Sequence, residues 1–227
     1  MMSGYSTLPL PEQAILTLAA VILVTSFALL SQSRVIATIR VFAWQGWLLA
    51  LTTALVAWDT GRAHLYISAL LAALLKGMFI PWLLVHQARK LGILREFDAV
   101  IRPGVTLLAA AALVIFCYSV ALPIEQFADS ITRDAIAFSL ANVMLGMLML
   151  ITRRKAITQV VGFMAMENGL LFAAVTATQG MPMVVELGIA FDVLIAAVLF
   201  GVFFFHIRDS IDSLDVDKLN RLSEVEQ

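Results

Sequence analysis

Apolar residues fill this chain in seven long runs, at about residues 11–32, 35–57, 64–87, 104–122, 134–152, 156–178 and 182–206. A helix that crosses a bilayer needs roughly 20 mostly apolar residues, and each run is about that long. Short polar or turn-forming breaks separate them: Ser31 to Arg34, Asp59 to Arg62, Gln87 to Pro103, Pro123 to Arg133, Arg153 to Lys155, and Gln179 to Pro182. The pattern predicts an all-α integral membrane protein with seven transmembrane helices.

Composition agrees. Of 227 residues, 61% are hydrophobic and 14% charged, against about 45–50% and about 25% in a soluble domain. Mean hydropathy is +0.94. No Lys or Arg precedes Arg34, so the first run reads as a retained helix and not as a cleavable signal. The net charge of −1 matters less than where the charges fall. Arg34, Arg40, Arg89, Lys90, Arg95, Arg102, Arg153, Arg154, Lys155, Arg208, Lys218 and Arg221 lie on one side of the seven runs, and only Arg62 and Arg133 on the other. Basic residues stay on the cytoplasmic side, so the N-terminus is expected outside and the C-terminus in the cytoplasm.

The second and sixth runs resemble each other. Phe42-Ala43-Trp44-Gln45-Gly46-Trp47-Leu48-Leu49 lays on Ala165-Met166-Glu167-Asn168-Gly169-Leu170-Leu171, with Gln45-Gly46 on Asn168-Gly169. A glycine turn follows each (Gly61, Gly180), and each following helix ends near a histidine (His86, His206). This suggests a parallel repeat of spans one to three and five to seven. The expected units are residues 1–103, a connector helix and outer loop at 104–133, a second three-helix unit at 134–206, and a cytoplasmic tail at 207–227. In that tail Ile211, Leu214, Leu219, Leu222 and Val225 alternate with charges, a stripe suited to docking on a protein neighbour.

Several kinds of chemistry are excluded or unsupported. A single cysteine, Cys117, allows neither an internal disulfide nor a cysteine-held iron–sulfur cluster. His64, His86 and His206 lack metal-ligand spacing. No glycine-rich phosphate loop occurs, and nothing points to a nucleic acid. No catalytic residue, cofactor or metal is expected.

What stands out is charge inside apolar helices, which costs at least ~2.5–3.5 kcal/mol per residue at the bilayer centre. Lys76, Glu167 and Asp192 each lie near the midpoint of a different run, and so at one depth. Glu186 is six residues nearer the outer face than Asp192, ~9 Å along the axis and about 600° of turn away, so these two acids do not share a face. One reading pairs the lysine with an acid to fix helix register. The favoured reading is a proton relay in the membrane plane, because burial penalises the charged form of such groups and makes them sensitive to one another. His86 and His206, at the cytoplasmic ends of their runs, are further relay candidates. Pro81 frees a carbonyl close to Lys76, and Asn142 and Asn168 are candidates for hydrogen bonds between helices.

These residues also carry a family resemblance. Met166-Glu167-Asn168-Gly169, Val185-Glu186-Leu187-Gly188-Ile189-Ala190-Phe191-Asp192 and Leu214-Asp215-Val216-Asp217-Lys218-Leu219 closely resemble the hydrogenase-4 membrane component E family, as does Lys76-Gly77-Met78-Phe79-Ile80-Pro81. The last three spans are similar to subunit K of respiratory complex I. Gly162 and Asn168 match that subunit's middle helix, Met164 replaces its glutamate, Glu167 supplies an acid one turn on, and Asp192 takes the approximate place of its second glutamate.

The resemblance implies a non-catalytic membrane-arm subunit of an energy-converting NiFe hydrogenase or formate hydrogenlyase, in the bacterial cytoplasmic (inner) membrane. Its implied partners are antiporter-like membrane subunits and a peripheral arm carrying nickel–iron and iron–sulfur centres. Lys76, Glu167, Glu186, Asp192, His86 and His206 would then belong to a proton-translocation or coupling path. The alternative is a component of a cation/proton antiporter-type complex without a hydrogenase.

Overall fold

The computed structural model describes residues 9–90, 103–123, 130–177, 186–199 and 201. Among them the chain is helical, without a β-strand. Among the described residues six helices are long and apolar enough to cross a membrane: α1 (Leu10–Ser31), α2 (Val35–Thr60), α3 (Ala63–Lys90), α4 (Pro103–Ala121), α5 (Ser130–Thr152) and α6 (Ala156–Ala177). They fall on the first six of the seven apolar runs, and the protein is a multi-pass membrane protein. The seventh run is helical over 186–199, here α7, and the rest of it lies outside the described residues. The tail lies outside them too.

Local chemistry sets the helix ends. Pro11 sits in the first turn of α1 and Pro103 opens α4, where a missing N–H costs nothing. Gly61 ends α2 in the left-handed region at φ 66°, a conformation that side chains with a Cβ resist. A different device ends α1. Arg153 reaches across from the α5–α6 turn and donates Nη2 to the carbonyls of Leu29, Leu30 and Gln32 at 3.2, 2.8 and 2.8 Å. These are carbonyls a helix end otherwise leaves unpaired.

The helix α3 is not uniform. Ala73–Phe79 forms a π-helical turn, in which the Ile80 N–H donates to Leu75. That register bypasses the Lys76 carbonyl, and Pro81 has no N–H to offer it. Gly46 of α2 packs against this stretch: a Cβ there would fall 2.8 Å from the Lys76 carbonyl carbon and 2.9 Å from its oxygen. Glycine is what lets α2 approach α3 this closely. The same holds between α5 and α6, where a Cβ on Gly169 would fall 2.9 Å from the Val143 nitrogen.

Two apolar clusters hold the bundle together. One contains Leu29, Phe42, Ile80, Leu84, Leu145, Val161 and Met164. The other contains Ile15, Ile22, Leu49, Leu65, Ala135, Phe172 and Val175. Along each of α1, α2, α3, α5 and α6 the chain passes from one cluster to the other. In α7, Ala196 and Leu199 belong to the first, and Ile189 packs against the second. The residues left between the clusters are polar, and they form the site.

Candidate functional site

Ser26, Gln45, Lys76, Asn142, Glu167, Asn168 and Asp192 come from α1, α2, α3, α5, α6 and α7, and all are buried. A buried polar group is costly unless it is hydrogen-bonded, and these find their partners in one another. Lys76, at the centre, is 0% exposed. Its Nζ donates to Glu167 Oε2, and to Asn168 Oδ1 at 2.8 Å, and stands 3.2 Å from Asp192 Oδ1 in an ion pair. Glu167 and Asp192 are 5% and 1% exposed. One ammonium thus faces two carboxylates in the low-dielectric interior, where such interactions are far stronger than in water.

The three charges are held by three different elements. The π turn carries Lys76, α6 presents Glu167 and Asn168 side by side, and α7 brings Asp192. At the far end of the same contact, Gln87 of α3 donates Nε2 to the Leu199 carbonyl at 2.8 Å, which ties α7 to α3. Glu167 Oε1 has no hydrogen-bond partner among the described residues, and the Asp192 Oδ1 contact lacks hydrogen-bond alignment. A cavity of about 270 Å³ between α6 and α7 reaches Glu167, with Phe163, Met166, Leu170, Leu171 and Phe191 around it.

From Lys76 the polar layer continues away from the acids. Asn168 Nδ2 donates to Gln45 Oε1 at 3.1 Å, Gln45 Nε2 to Ser26 Oγ at 2.8 Å, and Ser26 Oγ to Asn142 Oδ1 at 2.7 Å. Asn142 Nδ2 closes the series on the Phe138 carbonyl at 3.0 Å.

Of the candidate relay residues, the structure brings together Lys76, Glu167 and Asp192. Glu186 is exposed at the start of the 186–199 helix. His86 is exposed ten residues along α3 from Lys76, its ring 5.9 Å from that of Trp82. His206 lies outside the described residues. Asn142 and Asn168 bond between helices, whereas Ser26 carried no signal of its own in the sequence and Gln45 carried one only through the repeat. The amides paired by that repeat, Gln45 and Asn168, bond to each other. The glycines after them differ, since Gly46 faces α3 and Gly169 faces α5.

No protein-family model and no solved structure matches this chain. Over 190 residues it is 30% identical to Uncharacterized protein Rv0085 of Mycobacterium tuberculosis, covering 83% of this chain and 86% of that protein. Over 205 residues it is 25% identical to Hydrogenase-4 component E of Escherichia coli, covering 90% of this chain and 95% of that protein. The protein of that name from Shigella flexneri matches to the same extent. With 30% identity running through most of its mycobacterial relative, the chain belongs to the family of Uncharacterized protein Rv0085, and its likeness to the Hydrogenase-4 component E proteins is more distant.

Proposed function

We propose that this chain is a membrane-arm subunit of a hydrogenase-type complex, and that Lys76, Glu167 and Asp192 are its coupling element for proton movement. The relatives named Hydrogenase-4 component E support the first half. The observation that carries the second is one buried lysine held between two buried carboxylates on different helices.

That arrangement has two ways to neutralise the lysine. A proton arriving at Glu167 converts it to a neutral acid and weakens its hold on Lys76, so the ammonium is drawn toward Asp192. A proton on Asp192 reverses the preference. Proton occupancy is thereby converted into a displacement of a charged side chain, anchored on a π turn whose Lys76 carbonyl is already bypassed. The apolar clusters on either side keep other charges from screening the exchange. In this reading the N-terminus is outside, and Glu186 and His86, with His206, lie on the routes between the cluster and the two membrane faces. The chain itself carries no redox centre; hydrogen chemistry belongs to a peripheral arm, and antiporter-like subunits lie alongside.

Gentle-detergent purification of the tagged chain from its native membrane, with mass spectrometry of the co-purifying proteins, tests the assignment. Recovery of antiporter-like subunits together with a nickel–iron hydrogenase arm is expected. Recovery alone, or only with transporter chains, contradicts it and favours a component of an antiporter-type complex.

A further inference from the structure

The hydrogen bonds that run from Lys76 toward α1 and α5 have a fixed direction. An ammonium is a donor only, so Asn168 turns its oxygen to Lys76 and its nitrogen to Gln45. Gln45 then donates to Ser26, and Ser26 to Asn142. The far end is the Phe138 carbonyl, an acceptor only. Both ends therefore impose the same sense. Turning over any one of the three amides sets donor against donor or acceptor against acceptor. Every group in the series presents its negative end toward Lys76.

The series is not a proton wire, since side-chain amides do not release protons near neutral pH. Among the contacts described, Gln45, Ser26 and Asn142 bond neither to Lys76 nor to the acids. What they help to fix is the orientation of Asn168, the uncharged ligand of the ammonium among the described contacts. They also join α2 to α1, and α1 to α5, through bonds that exist only while those helices keep their register.

We infer that Gln45, Ser26 and Asn142 are positioning residues, which hold Asn168 Oδ1 on the Lys76 ammonium and tie the lysine's place between its two acids to the α1–α5 contact. The inference rests on the proposed reading of the charge cluster as the coupling element. It adds a direction to that reading. A shift of α1 against α5 breaks the Ser26–Asn142 bond, leaves the sense of the remaining amides to Lys76 alone, and loosens the lysine. A displacement of the lysine leaves Asn168 Oδ1 without its donor and loosens α1 from α5.

The test is solid-state NMR of the full chain in lipid bilayers, labelled with ¹⁵N-lysine and read at the Lys76 Nζ signal. Ser26→Ala removes the link to Asn142 without touching any described neighbour of Lys76. We expect it to shift the Lys76 signal, Asn142→Ala to do the same, and Ser26→Thr to restore the native position. Thr53→Ala, which removes a buried hydroxyl that bonds only within α2 among the described contacts, is expected to leave the signal in place. An unmoved signal in both Ser26→Ala and Asn142→Ala overturns the inference, whatever the complex does. In the assembled complex, Ser26→Ala should lower ion movement per hydrogen turnover about three- to tenfold, the effect of one buried hydrogen bond, and move its pH midpoint. Normal ion movement there beside an uncoupled Glu167→Gln complex overturns this inference alone. Normal ion movement in both overturns the reading beneath it as well.

Discussion

Among the described residues two basic side chains, Lys76 and Arg153, are buried, and they are satisfied in opposite ways. Arg153 is bound by the carbonyls that end α1, and Lys76 by two carboxylates and an amide. Backbone carbonyls have a fixed charge distribution, so the Arg153 contact has one state and serves as a clamp, helped by the negative end of the helix dipole. Carboxylates can gain and lose protons, so in the proposed function the Lys76 contact has several states. The choice of side chain follows. A guanidinium stays charged and spreads its donors over several acceptors, whereas an ammonium is a compact charge on a flexible stem that moves between partners. Burial of a cation therefore does not by itself mark a functional site. What marks one is whether its partners can change charge.

The largest expected effect comes from removing the ammonium. Lys76→Met leaves two buried acids without their counter-ion and should cost about 3–5 kcal/mol of stability if they stay ionised, read by denaturant unfolding in detergent. Adding Glu167→Gln and Asp192→Asn should recover most of that loss, which a purely apolar packing defect would not allow. Arg153→Ala should cost about 1.5–3 kcal/mol, the range for a charge-assisted hydrogen bond, yet leave ion movement per turnover unchanged in the complexes that still assemble. Loss of coupling in well-assembled Arg153→Ala complexes would erase the contrast between the two cations. Gly46→Ala pushes a methyl group against the Lys76 backbone and should cost about 1–3 kcal/mol as overpacking. The smallest stability changes belong to the exposed positions. Glu186→Gln and His86→Gln should stay within about 0.5 kcal/mol of wild type, while a place on the proton route would show as slower ion movement in the same preparations.

Much of this was legible in the sequence, for identifiable reasons. Apolar runs of spanning length declare themselves because the bilayer tolerates so few alternatives, and six of the seven coincide with described spanning helices. Lys76, Glu167 and Asp192 stood out because a charge is conspicuous against an apolar background. Their pairing was not legible, because periodicity within one helix says nothing of which helix lies opposite. Ser26 was silent for a local reason, since a serine hydroxyl inside a helix commonly bonds its own backbone, and its Oγ does approach the Ile22 carbonyl at 3.4 Å. Arg153 was hidden among like neighbours: Arg153-Arg154-Lys155 reads as one basic turn, and only the fold buries the first and exposes the second. Pro81 pointed to a freed carbonyl near Lys76, but the π register that bypasses the lysine's own carbonyl emerges only from the backbone of α3.

In the proposed function, the lysine between two acids couples proton movement to the chemistry of a larger complex. Proton uptake into inverted membrane vesicles carrying the complex with Glu167→Gln, measured beside hydrogen turnover and subunit content, decides whether it does. Normal assembly and near-normal hydrogen turnover are expected, with coupled proton movement lost. Proton uptake per turnover equal to wild type in that variant would contradict it and leave the cluster a silent structural pairing.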